Sequence, residues 1–253
     1  MVDIHSHILP GVDDGSPTLE TSVAMLEMAA ADGTTDIVAT PHANHQYAFQ
    51  PLVIEEKIRD LTAQMGDRIR IHRGCDLHLS FDNIQDALAN PKRYTINHRN
   101  YLLVEFSDML IPRTTGEVFF RMLSAGMVPI ITHPERNGLL HTRIEMLQAW
   151  VESGCLLQVT ALSFLGRFGK QAKTFSDELM RRGLVHIVAS DGHDARHRPP
   201  TLREACDYVS RTYGSNVAER LFVTNPMATL VGDPIIQQEP AVPEPKKPWY
   251  RFW

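Results

Sequence analysis

The chain has 253 residues, 43% of them hydrophobic and 22% charged, which is enough apolar sequence for one substantial globular domain. Its formal net charge of −5 excludes a generally basic surface, so no nucleic-acid partner is expected. The three cysteines are widely spaced with no CxxC pair, and neither a signal peptide nor a membrane-spanning stretch is visible. These features predict a cytoplasmic protein.

Short apolar runs alternate with amphipathic segments along the chain. The predicted strands are residues 2–4, 36–40, 69–73, 101–106, 128–132, 156–160 and 185–190. Helices are predicted over residues 18–31, 54–65, 116–125, 142–153 and 172–182, with two more after Pro200. A glycine follows four of these helices, as expected of C-terminal caps: Gly33, Gly126, Gly154 and Gly183. Repeated strand–helix units, about seven in number, predict an α/β protein with a parallel sheet closed into a barrel.

The composition changes after Asp233, where QQEPAVPEPKKP is rich in proline and charge and is predicted not to pack. We therefore divide the chain into a folded domain of residues 1–232 and a tail of residues 233–253. The tail ends in KKPWYRFW, whose cations and aromatic rings suit a peripheral contact with a membrane or with a membrane-bound partner. A tail without any role is the alternative.

Histidines and carboxylates follow the predicted strands one after another. Because the carboxyl ends of barrel strands share one face, these side chains should converge there. The candidate metal ligands are His5, His7, Asp14, His42, Asp76, Glu105, His133, Asp191 and His193. Without cations, so many carboxylates in one place would be electrostatically costly. Imidazole with carboxylate favours Mn, Fe or Zn over Ca, and nine ligands fit two or three ions better than one.

Charge predicts the kind of substrate. Three divalent ions would outweigh the four carboxylates of this set and leave a positive pocket in an acidic protein. Such a pocket suits a phosphate dianion, and metal ions lower the pKa of bound water to about 7, which supplies hydroxide at neutral pH. The pattern therefore predicts a metal-dependent phosphoesterase.

The segments DIHSHILPGVDDG, ATPH, GCDLH, LVEF, THPER and ASDGH, in this order, resemble the PHP (polymerase and histidinol phosphatase) superfamily. They are most similar to the bacterial PHP-type protein-tyrosine phosphatases encoded with capsule and exopolysaccharide systems. The resemblance covers residues 1 to about 232. It implies a distorted (β/α)7 barrel whose trinuclear site, often containing manganese, is held by the nine residues named above, with iron or zinc as other candidate metals.

The resemblance also implies that Arg136 and Arg198 lie near the phosphate or the substrate ring. Asp76 departs from the pattern, because many relatives carry Glu there. By position we favour Asp14 over Asp13 as the ligand, although either carboxylate could serve.

The predicted reaction is phosphomonoester hydrolysis with protein phosphotyrosine as the preferred substrate, and a membrane-associated bacterial tyrosine kinase as the expected partner. A metal-bridging hydroxide attacks phosphorus while Arg136 and Arg198 add charge-assisted hydrogen bonds. Either Asp191 or a metal-bound water assists as the acid.

Four other functions compete with this prediction. A cysteine-dependent phosphatase is excluded, because Phe81, Ala161 and Thr212 stand where its arginine would follow each cysteine by six residues. An amidohydrolase is disfavoured, since no lysine falls at a predicted strand end. A small-molecule phosphatase of the histidinol-phosphate type remains the enzymatic alternative. A non-catalytic kinase-binding regulator is disfavoured, because the ligand set has no gap.

Overall fold

The computed structural model describes residues 1–235. The expectations for the KKPWYRFW tail therefore lie outside the described residues.

Within residues 1–235, nine strands form two parallel sheets. The strands are β1 (Val2–Ser6), β2 (Asp36–Ala39), β3 (His42–Ala43), β4 (Arg70–Arg73), β5 (Asp76–His78), β6 (Tyr101–Glu105), β7 (Val128–Thr132), β8 (Leu156–Thr160) and β9 (Ile187–Ala189). The smaller sheet has the order β1-β2-β4, and the larger has the order β3-β5-β6-β7-β8-β9.

Two short strands that were not predicted, β3 and β5, follow the predicted strands of residues 36–40 and 69–73, which is why the structure has nine strands and not seven. Pro41, which has no N–H to donate, separates β2 from β3, and Gly74 with Cys75 separates β4 from β5. Across the breaks the chain stays paired, because Gly74 N donates to Ala39 O (2.9 Å) and Asp76 N to Pro41 O (3.2 Å).

The two sheets also approach each other at β1 and β9. An isolated parallel bridge joins Ser6 to Gly192, and Asp191 N donates to His5 O (2.9 Å). The described residues nevertheless show no single closed sheet. The α/β fold with parallel strands is confirmed, whereas the closed barrel is not, because the breaks in β2–β3 and β4–β5 divide the ladder.

The helices follow the predicted alternation. They are α1 (Leu19–Ala31), α2 (Pro51–Met65), α3 (Phe81–Ala89), α4 (Thr115–Ser124), α5 (Ile144–Glu152), α6 (Ala161–Phe164), α7 (Gly169–Arg181), α8 (Arg203–Tyr213), α9 (Ser215–Glu219) and α10 (Asn225–Val231). Thr18 Oγ1 caps α1 by accepting from Thr21 N (3.3 Å), and Gly33 follows that helix with a φ of 97°. Neither α3 nor α6 was predicted from the sequence, although Ser80 Oγ caps α3 by accepting from Asn83 N (3.3 Å). Three helices, and not the predicted two, follow Pro200.

Side chains alternate along the strands between two apolar clusters, so both faces of the strands are covered. In β6, Leu102 and Val104 join the larger cluster, whereas Tyr101 and Leu103 join the smaller one with Leu230 of α10. Tyr101 Oη donates to the carbonyl oxygen of Asp233 (2.6 Å), which fixes the last described residues at the amino end of β6. Among residues 1–235, no helix combines the length and apolarity needed to cross a bilayer.

Gly74 provides a test of this packing. A Cβ at that position would come within 2.8 Å of Val38 Cγ1 and 3.0 Å of Thr40 Cγ2. We expect Gly74→Ala to lower the free energy of unfolding by about 1–3 kcal/mol, the usual cost of overpacking, as measured by equilibrium urea denaturation. In the control Gly138→Ala, the added Cβ meets nothing within 4 Å, so stability should change little. Equal stability of the two variants would contradict the tight contact.

Candidate active site

The carboxyl ends of β1 and β9 are held together by a buried carboxylate. The register of β1 against β2 shifts between Asp3 and Ser6, and Asp3 Oδ1 accepts from both His5 N (3.3 Å) and Ser190 N (3.0 Å). This irregularity in β1 fixes the chain just before Asp191 and beside His5. It brings the first and last predicted ligands to the same place.

His5 and His7 are oriented by hydrogen bonds at Nδ1. His5 Nδ1 donates to Gln158 Oε1 (2.9 Å), and His7 Nδ1 donates to Asp13 Oδ2 (2.7 Å). These acceptors favour a proton on Nδ1 and leave each Nε2 lone pair free for a metal ion. The two Nε2 atoms lie 3.3 Å apart, as two ligands directed at one point would.

Seven of the nine predicted ligands form three overlapping groups, in each of which the ligand atoms lie within 4.8 Å of one another. The groups are His7, Asp14, His42 and His193; His5, His7 and Asp76; and His42, Asp76 and Glu105. His7, His42 and Asp76 each belong to two groups, so the three form one continuous cluster.

The remaining two predicted ligands, Asp191 and His133, border this cluster. Asp191 Oδ1 lies 3.4 Å from Nε2 of both His5 and His7, and His133 Nε2 lies 3.5 Å from Glu105 Oε1. Both have left-handed backbone, with φ of 52° at Asp191 and 34° at His133. Such a conformation costs of order 1–3 kcal/mol in a residue other than glycine and is typical of functional sites.

Asp13 and Asp14 have different positions. Asp13 lies behind His7, where its carboxylate also accepts from Gly15 N (3.0 Å) and His42 N (3.1 Å). Asp14 Oδ1 instead faces the cluster, 3.3 Å from His42 Nε2 and 3.6 Å from His193 Nε2. This geometry favours Asp14 as the ligand and gives Asp13 the role of orienting His7.

Asp76 tests whether the cluster suits metal ions. Its side chain is fully buried, and neither carboxylate oxygen accepts a hydrogen bond from the residues that the structure describes. Burial alone would raise the pKa of Asp76, but His5 and His42 hold it well below its usual range. A buried, ionised carboxylate without a hydrogen-bond donor fits a cation. Although aspartate is shorter than glutamate, Asp76 reaches the cluster, since its Oδ2 lies 3.5 Å from His5 Nε2 and 3.3 Å from His42 Nδ1.

The histidines of the cluster differ in their affinity for protons. Burial opposes the charged form of His7, but Asp13 raises its pKa to about 9. Burial and the neighbouring charge of His7 lower the pKa of His193 to about 3. His7 and His193 are therefore not protonated over the same pH range, whereas a metal ion binds the neutral form of each imidazole.

The two predicted arginines converge on Asp191. Arg136 and Arg198 both donate to Asp191 Oδ2, while Oδ1 faces the histidines. Burial would raise the pKa of Asp191, but His5, His7 and the two arginines outweigh it and hold the pKa well below the usual range. These neighbours favour the ionised form of Asp191 over the protonated form that the predicted role as an acid requires.

The cluster opens into a cavity of about 250 Å³ whose lining includes His42, His45, His78 and Glu105. A neighbouring cavity of about 100 Å³ is lined by Glu105, His133 and Arg136, among others. A larger depression of about 590 Å³ lies between α5 and α7, and none of the nine predicted ligands lines it. The convergence of ligand atoms, and not the size of the cavity, therefore identifies the candidate site.

Several residues around the cluster were not identified from the sequence. Asp3 and Gln158 orient ligands, and Phe168 packs against Arg136, whose Cζ lies 4.4 Å from the ring centroid. Glu135, although next to Arg136, is buried and accepts from Thr160 N (3.0 Å) and Ser163 Oγ (2.6 Å). These roles depend on contacts between distant segments, for which a strand-end pattern has no signal.

The cysteines agree with the exclusion of a thiolate nucleophile. Burial raises the pKa of Cys75 well above its usual value and that of Cys155 to about 12, and Cys206 lies on α8. A thiol with a raised pKa is a poor nucleophile at neutral pH.

Comparison with known proteins identifies the family. The model of the family described as "Capsular polysaccharide synthesis, CpsB/CapC" matches residues 1–231. The tyrosine-protein phosphatase YwqE of Bacillus subtilis is 32% identical over 100% of both chains. The tyrosine-protein phosphatase CpsB of Streptococcus pneumoniae is 32% identical over 89% of this chain and 96% of its own.

Two solved structures resemble the fold. A crystal structure reported with YwqE of B. subtilis and CpsB of S. pneumoniae as metal-dependent tyrosine phosphatases superposes with a TM-score of 0.88 at 32% identity, covering 97% of this chain and 100% of the other. The histidinol phosphate phosphatase of Lactococcus lactis has a TM-score of 0.56 at 14% identity, covering 87% and 94%, which shows a shared fold only. The chain therefore belongs to the CpsB/CapC family of capsular polysaccharide synthesis proteins.

Proposed function

We propose that this chain is a metal-dependent protein-tyrosine phosphatase. The observation that carries the proposal is the shared carboxylate of Asp191, which faces metal-ligand imidazoles on one side and two arginines on the other. A site of this kind places anion-binding cations directly beside a metal cluster. Its relatives YwqE and CpsB, both named tyrosine-protein phosphatases, match it over most or all of their length.

Two or three divalent ions, manganese being favoured and iron or zinc the alternatives, would be held by the nine clustered side chains. His5, His7 and Asp76 would hold one ion. The groups that contain Asp14 and Glu105 would hold the others. When bound, such ions lower the pKa of water and offset the negative charge of a phosphoryl group.

The arginines bind and orient the phosphate. The planar guanidinium groups of Arg136 and Arg198 carry donors matched to phosphate oxygens, and their shared bond to Asp191 holds them at the rim of the cluster. A tyrosine leaving group has a pKa near 10, so it needs less protonation than an alkyl alcohol. The reaction can therefore proceed without a strong general acid, which agrees with an ionised Asp191.

We infer the partner and the setting from the description of the family. A phosphatase in a capsular polysaccharide synthesis family would act in the cytoplasm on a membrane-associated tyrosine kinase. A small-molecule phosphatase of the histidinol-phosphate type remains the second candidate, because its metal core would be similar. We also infer that residues 1–232 form one domain, whose strands make a distorted (β/α)7 barrel with the smaller apolar cluster as its interior.

Metal content is the first test. We expect protein purified without chelator to carry two to three transition-metal ions per chain, counted by elemental analysis. Replacing His5 and His7 together with Ala should remove at least one ion and abolish phosphotyrosine turnover, because both Nε2 atoms are directed into the cluster. His197→Ala, which removes a side chain that is 88% exposed, should keep the full metal content. Active wild-type protein without metal would contradict the proposal.

The arginines test the mechanism. A charge-assisted hydrogen bond is worth roughly 1.5–3 kcal/mol, or roughly 10- to 150-fold in rate if it strengthens in the transition state. We therefore expect Arg136→Ala and Arg198→Ala each to lose at least about tenfold in kcat/KM on a phosphotyrosine peptide while retaining metal. Arg196→Ala, an exposed neighbour in the same loop, serves as the control. Wild-type kinetics in both test variants would exclude a role for these arginines in phosphate binding.

The choice between substrates needs a direct comparison. Turnover of a phosphotyrosine peptide should exceed that of a phosphoserine peptide and of histidinol phosphate on the same metal-quantified protein. Preference for histidinol phosphate would favour the second candidate.

A further inference from the structure

Phe168 lies in the loop between α6 and α7, which follows β8 at the same end as the site. Glycines on either side shape this loop: Gly166 has a φ of 76° and Gly169 a φ of 89°. Gly169 N donates to Gly166 O (3.0 Å) and closes a tight turn that contains Phe168. The backbone therefore holds this half-buried aromatic ring in a defined position.

The ring packs against both arginines of the site. The Cζ atom of Arg136 lies 4.4 Å from the centroid of Phe168, and that of Arg198 lies 6.0 Å from it. Both distances fall within the range of a cation–π interaction. Arg136 therefore lies close over the ring and Arg198 at the outer limit of this range, while both guanidinium groups donate to Asp191 Oδ2.

Charge explains why an aromatic ring suits this position. Two guanidinium groups converge on one carboxylate oxygen, so their mutual repulsion is only partly offset by Asp191. The negative face of an aromatic ring stabilises cations without supplying a full negative charge that would repel phosphate. A second carboxylate at this position would hold the arginines equally well but would oppose the substrate.

We propose that Phe168 is a positioning residue that sets the phosphate-binding geometry of Arg136 and Arg198 through the face of its ring. This inference rests on the proposed phosphatase function. It extends that function to a residue that binds no metal and that the strand-end pattern did not mark. The ring acts through the arginines, so its effect must depend on their presence.

The experiment compares Phe168→Leu with Phe168→Tyr. Leucine retains an apolar side chain but lacks the π face, whereas tyrosine retains the ring. We expect Phe168→Leu to lose about fivefold or more in kcat/KM on a phosphotyrosine peptide, within the roughly 2- to 30-fold that a cation–π interaction represents. Phe168→Tyr should stay within about twofold of wild type. Metal content should be unchanged in both.

A double-mutant cycle separates positioning from simple packing. In the Arg136→Ala background, Phe168→Leu should cost clearly less than it does alone, because the contact that it removes is already weakened. Phe81→Leu, at an aromatic residue that is 75% exposed at the start of α3, should behave as wild type. Wild-type activity in Phe168→Leu, or an equal loss in both backgrounds, would overturn the proposal. If Phe168→Leu is unstable, Phe168→Met provides a second apolar side chain without a ring.

A binding measurement distinguishes this proposal from the function on which it rests. Affinity for inorganic phosphate, measured by calorimetry on metal-quantified protein, should fall in Phe168→Leu and not in Phe168→Tyr. If wild-type protein does not turn over phosphotyrosine but phosphate binding still depends on the ring, the proposed substrate fails and the role of Phe168 stands. Phosphate binding that is independent of the ring would contradict the role of Phe168 whatever the substrate is.

Discussion

The site depends on the way one carboxylate is shared. Asp191 directs one oxygen to the imidazoles of His5 and His7 and the other to two guanidinium groups. It can do so because its backbone, two residues after the end of β9, adopts a left-handed conformation and its N–H donates to His5 O. The bridge between β1 and the segment after β9 thus determines where the candidate metal ligands and the two arginines meet.

Much of the ligand set could be predicted from sequence, because each candidate follows an apolar strand and parallel strands end at one face. The supporting residues could not. Gln158 orients His5 from a position 153 residues away, and its side chain is buried between apolar neighbours in β8. The short strands β3 and β5, which follow the breaks at Pro41 and Gly74, were also missed, because an apolar run does not reveal where the chain passes from one sheet to another.

The same buried charges connect stability with function. The fully buried carboxylate of Asp76 has no hydrogen-bond donor among the described residues, so the folded protein retains it at a cost that a bound cation would offset. Ligands that bind only the folded state stabilise it by mass action. If the cluster binds metal ions as proposed, the same ions would support both catalysis and resistance to unfolding.

The position of the last described residues has a consequence for orientation. Asp233 is bound by Tyr101 at the amino end of β6, and Ile235 packs against the smaller apolar cluster, whereas the metal cluster lies at the carboxyl ends of the strands. The described residues therefore end on the side of the molecule opposite the cavity. Any attachment made at that side of the fold would leave the cavity facing away from it and accessible to a phosphorylated substrate.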